Sequence, residues 1–76
     1  MERVAEIKAK MAELLSQPVD ALGDDIELTS LVNSSFVLVE MIIEMQEEFD
    51  VRFTQQEVTG VITVGQLVKV FADRLG

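Results

Sequence analysis

The chain has 76 residues, is 49% hydrophobic and contains no cysteine, histidine, tryptophan or tyrosine. That length holds one small domain, expected to span residues 1–76, and excludes a second domain or a deep catalytic cleft. Fourteen Asp and Glu against six Lys and Arg give a net charge of −8, which disfavours nucleic acid and anionic membranes and favours basic protein patches. Without cysteine or histidine there is no disulfide, no thiol nucleophile, no usual zinc site and no usual base near neutral pH, so neither a metal centre nor an independent enzyme is expected.

Val4, Ile7, Met11, Leu14 and Leu15 recur at helical spacing and predict a first helix that ends before Pro18, since the residue preceding a proline is pushed out of the α region. From Val19 to Asn33 the period is lost. This stretch reads as one long loop, pinned to the core by Ile26, Leu28 and Leu31, and loops of such length in small domains are more often functional than idle. Ser34 is placed to cap a second helix that runs to Phe49 and Asp50. Thr54-Gln55-Gln56-Glu57 reads as a capping box for a short third helix, which Gly60 stops. Thr63-Val64-Gly65-Gln66 reads as another, opening a fourth helix with Val64, Leu67, Val68, Phe71 and Leu75 on one face. The expected fold is all-α: a small bundle of three main helices and one short one. No segment has the pattern of a secretion signal, and the longest apolar run, Phe36–Val39, is far too short to span a bilayer, so a soluble, cytoplasmic monomer is expected.

The second helix carries more apolar surface than folding requires. Leu38, Met41, Ile42, Met45 and Phe49 fall on one stripe at about 100° per residue, wide enough to face the core. Phe36, Val39 and Ile43 point roughly the other way, with Glu40 and Glu47 on the same face and Glu44 at its border. One reading is incidental exposure, with Phe36 tucked under the long loop. The other is a docking strip of Phe36, Val39, Glu40, Ile43, Glu44 and Glu47, apolar at its centre and rimmed by carboxylates that meet Lys and Arg on a partner. No Asp-rich loop has the ligand spacing of an EF-hand.

The run from Asp25 to Phe36, then Val39-Glu40-Met41, Glu47-Glu48-Phe49-Asp50 and Ile62-Thr63-Val64-Gly65-Gln66-Leu67-Val68, resembles the acyl carrier protein family over nearly the whole chain. Carriers of fatty acid and polyketide synthesis have a loop of the form D-x-x-L-x-x-L-G-x-D-S-L whose serine opens the second helix, with E-L a few residues on. Ser35 takes the serine's place, Phe36 the leucine's, and Glu40-Met41 that of E-L. The resemblance implies a four-helix bundle of acyl-carrier type and 4′-phosphopantetheine, moved from coenzyme A onto Ser35 by a phosphopantetheinyl transferase. Acyl groups would ride on its thiol as thioesters, and acyltransferases or ligases, ketosynthases and other synthase enzymes would grip the carrier through a basic patch. The residues agree, because a serine with no histidine, lysine or cysteine beside it has no internal base and must be modified by another enzyme. A helix start also suits an anionic phosphodiester.

Two positions depart from the family pattern: Val32 stands where it has glycine and Ser34 where it has aspartate, which keeps a helix cap but removes a carboxylate and puts two hydroxyls side by side. Ser35 keeps the family's spacing to Glu40, Phe49 and Asp50. Two alternatives stay open. The D-alanyl carriers, which transport an amino acid, also resemble this chain in Ser-Phe and in the Phe-Asp ending, and an acidic helical scaffold whose serine is never modified fits the composition.

Overall fold

The computed structural model describes residues 2–75. Among these residues four helices form, α1 over Glu2–Leu15, α2 over Ser35–Phe49, α3 over Gln55–Thr59 and α4 over Val64–Leu75. α1 packs on both α2 and α4. The apolar stripes account for this arrangement. Ile7, Met11, Ala12 and Leu15 from α1 meet Met41 and Met45 from α2 and Val64, Leu67, Val68 and Phe71 from α4 in one buried cluster. Val4, Leu38, Ile42, Phe49 and Leu75, expected in the core or on a core-facing stripe, pack against it half-buried. α1 ends at Leu15, three residues before Pro18: Ser16 adopts a left-handed conformation (φ 56°), and the Gln17 N–H donates to the Ala12 carbonyl at 3.0 Å, satisfying an end carbonyl of the helix.

The connection from α1 to α2 is more ordered than its sequence suggests. It holds two 3₁₀ turns, Val19–Ala21 and Leu28–Leu31, and plugs the bundle with Leu22 and Leu28, both buried. Leu22 was not foreseen as an anchor. Ile26 anchors through its backbone instead of its side chain, which stays 37% exposed. Its carbonyl accepts from the Val64 N–H at 2.9 Å while the Leu28 N–H donates to the Ile62 carbonyl at 2.9 Å, an isolated antiparallel bridge between Glu27 and Thr63. Lys8 adds an ion pair to Asp24 at 2.9 Å. The loop preceding Ser35 is thereby tied to α1 and to the start of α4.

Both capping boxes form. Thr54 Oγ1 accepts from the Glu57 N–H while the Glu57 carboxylate accepts from the Thr54 N–H. Thr63 and Gln66 exchange the same pair of bonds, and Gln66 Oε1 also accepts from the Ile62 N–H. α3 has no fully buried residue, and Arg74 of α4 reaches it. That guanidinium pairs with Glu57, donates to the Arg52 carbonyl at 2.6 Å and lies 4.8 Å from the centre of the Phe53 ring, which packs edge-on to Phe71.

Candidate functional site

Ser34 has the extended backbone of an N-cap (φ −151°, ψ 140°), and its Oγ accepts from the Phe36 N–H at 3.1 Å. Its carbonyl accepts from the Val37 N–H at 3.1 Å. The neighbouring hydroxyls are therefore not equivalent, since Ser34 is committed to opening the helix. Ser35, the first residue of α2, is exposed, and its Oγ makes no hydrogen bond among the described residues. The first turn of α2 contains no carboxylate, so nothing there offsets the positive end of the helix dipole.

Downstream of Ser35 the six residues assigned to a docking strip are all exposed: Phe36, Val39, Glu40, Ile43, Glu44 and Glu47. Phe36 is not tucked under the loop, because 65% of its surface faces solvent; Val39 and Ile43 are about half exposed, at 52% and 49%. Val37, 39% exposed, is open to solvent as well. Ile43 lies between two open grooves, one of about 270 Å³ with Glu40 and Glu44, the other of about 430 Å³ with Gln46, Glu47, Asp50, Val51 and Arg52.

The five carboxylates between Ser34 and Asp50 divide into two groups. Glu48 lies 3.5 Å from Lys10 of α1, which also binds Glu13 at 3.2 Å. The Glu13 hydrogen bond and the charges of Glu13 and Glu48 hold the Lys10 ammonium above the usual lysine range, against the opposing cost of its desolvation. Glu40, Glu44, Glu47 and Asp50 have no cation within 4.0 Å among the described residues. One flank of α2 is thus neutralised by α1, while the face bearing Val39 and Ile43 stays negative. Among the described residues no group of three His, Cys, Asp or Glu is placed to hold a metal ion, and no helix is long and apolar enough to cross a membrane.

Arg52, in the wall of the larger groove, was not singled out from the sequence. A signal was present, because it is the single cation between Lys10 and Lys69, in a segment whose other charges are all negative.

Residues 5–71 match the family model described as phosphopantetheine attachment site. No curated protein matches the chain. The match runs from α1 into the last turns of α4, so it takes in the whole bundle core. Members of this family are not themselves catalysts; they are carriers with covalently bound 4′-phosphopantetheine, served by a phosphopantetheinyl transferase and by synthase enzymes. With the match and the bundle in agreement, the chain belongs to the acyl carrier protein family and is a phosphopantetheine-bearing carrier.

Proposed function

We propose that Ser35 is the attachment residue and that the chain carries acyl intermediates as thioesters to enzymes of fatty acid or polyketide biosynthesis. The observation that carries this reading is the inequality of the two serines: Ser34 Oγ is engaged in the cap, while Ser35 Oγ is exposed and unengaged. The surroundings fit a phosphodiester, with no carboxylate in the first turn to repel it and the positive end of a 15-residue helix beneath it. In loading, Ser35 Oγ forms the new phosphoester bond to the pantetheine phosphate of coenzyme A, the adenosine bisphosphate half leaves, and the hydroxyl proton passes to a base on the transferase. The chain supplies no histidine or cysteine for that task. The bound group contributes a terminal thiol on which acyl chains are held.

The exposed strip of Phe36, Val39, Glu40, Ile43, Glu44 and Glu47 is the surface gripped by the transferase and by synthase enzymes. Folding does not need its apolar side chains, because the opposite stripe of α2 already supplies Met41 and Met45 to the core. Desolvating an apolar centre while unpaired carboxylates steer a basic patch is how such rims direct association. The test is intact mass after incubation with a transferase and coenzyme A. Ser34→Ala should gain phosphopantetheine and Ser35→Ala should not. The reverse result moves the site to Ser34, and no gain by the parent with any transferase favours the scaffold reading. An aminoacyl carrier is the second reading, supported by Phe36 after the serine, and charging of the loaded protein by an amino-acid ligase in place of an acyl ligase decides for it.

A further inference from the structure

Beyond Glu47 and Asp50 the acidic strip is followed by a cation, Arg52. Arg3, Lys8, Lys10, Lys69 and Arg74 each have a carboxylate within 4.0 Å. Arg52 is the one cation without such a partner among the described residues, although it lines the 430 Å³ groove together with Glu47 and Asp50. Its backbone is fixed from both sides. The Gln46 carbonyl accepts from the Val51 N–H at 3.0 Å and Gln46 Oε1 accepts from the Phe53 N–H at 2.9 Å, while the Arg52 carbonyl takes the Arg74 guanidinium. An exposed guanidinium on an anchored backbone, at the mouth of a groove with Ile43 in its wall, is placed to be read from outside.

We propose that Arg52 is a specificity determinant for the phosphopantetheinyl transferase, and that it meets one acidic side chain lying beyond the enzyme's basic patch. This rests on the docking-face reading above. Ser35 opens α2 and Arg52 follows its end, so at about 1.5 Å per residue the two are separated by about 20–25 Å along the helix. The complementary surface has a fixed order: the active-site mouth opposite Ser35, cations opposite Glu40, Glu44 and Glu47, an apolar contact on Val39 and Ile43, and a carboxylate opposite Arg52. A carrier that is negative along the whole strip could slide or reverse on a basic surface. One cation at the far end makes the wrong registers repulsive, which is how charge arrangement confers specificity.

The experiment reads the sign of an effect. Arg52→Glu makes an already acidic carrier more negative, and bare steering onto a basic enzyme would speed association. A carboxylate facing Arg52 makes the same change slow it. With coenzyme A and the transferase as probe, kcat/KM for Arg52→Glu should fall by about three- to ten-fold at low ionic strength, with most of the loss erased by added salt. Reversing one transferase carboxylate that lies 20–25 Å from its active site, on this same order-of-magnitude spacing, should restore the rate. Faster or unchanged transfer by Arg52→Glu, with Glu47→Lys slowed, overturns the proposal and leaves the docking face standing. Unchanged transfer by both variants removes the docking face as well. A thermal melt of Arg52→Gln separates an internal role, since a marked loss of stability would assign the cation to the negative end of α2 and overturn the proposal too.

Discussion

Gly65→Ala is the sharpest test of how the loop before Ser35 is held. A β-carbon at position 65 would lie 3.0 Å from Asp24 Cβ, 3.1 Å from the Asp24 carbonyl oxygen and 3.3 Å from Asp24 Cα. Relief requires backbone movement, because two of these atoms are main chain. Asp24 is not free to move, since its carbonyl accepts from the Gly65 N–H at 3.0 Å and its carboxylate holds Lys8 at 2.9 Å. Overpacking of this kind costs about 1–3 kcal/mol, and the better helix propensity of alanine returns at most about 1 kcal/mol. The net loss is about 1 kcal/mol, which lowers Tm by about 4–8 °C in a domain of this size. Gly60→Ala is the matched control: nothing lies within 4 Å of its added carbon, its φ of −86° suits alanine, and a small gain is expected. Circular-dichroism melts of both variants provide the measurement. A Gly65→Ala protein that melts at or above the parent temperature would refute the close approach of Asp24 to α4.

Ser34→Ala removes the N-cap of α2 and should cost about 1 kcal/mol in denaturant unfolding while leaving phosphopantetheine loading intact. Val39→Ala and Ile43→Ala should change stability by no more than about 0.5 kcal/mol but slow transfer severalfold; Glu40→Lys should slow it in a salt-dependent manner, and Asp73→Lys on α4 should not. Asp50 occupies a left-handed C-cap position (φ 55°) at the negative end of α2, so Asp50→Asn should raise Tm slightly, and a fall would reveal an internal partner for that carboxylate. Glu57 is held below the usual glutamate range by the Thr54 N–H, and by Arg74, against the opposing cost of desolvation. A carboxylate with a depressed folded pKa stabilises above its unfolded value and loses that contribution as pH falls through the folded one. Glu57→Gln should therefore melt lower than the parent at neutral pH, with the gap closing through the acid range; a gap that stays constant with pH would mean that the ionised form is not what holds α3.

Where partners lie within a few residues, the sequence by itself determined the outcome. The two capping boxes, the Ser34 cap and the amphipathic stripes of α1 and α4 follow from side chains that reach backbone groups two to four residues away, or that repeat with the helical turn. The serine motif and the Thr63-Val64-Gly65 segment marked the family for the same reason, as fixed spacings along one chain. Tertiary structure decided what spacing cannot encode. Leu22, not Ile26, plugs the bundle, because the Ile26 backbone is engaged by Val64 across a gap of 38 positions in the chain. Glu48 is paired and Glu47 is not, because Lys10 comes within ion-pair distance of Glu48, at 3.5 Å, and of no other carboxylate of α2. The excess apolar surface of α2 and the outward direction of Val39 and Ile43 were legible from helical spacing; whether Phe36 tucks under the long loop was not, because that depends on where the loop packs, and the loop leaves Phe36 facing water.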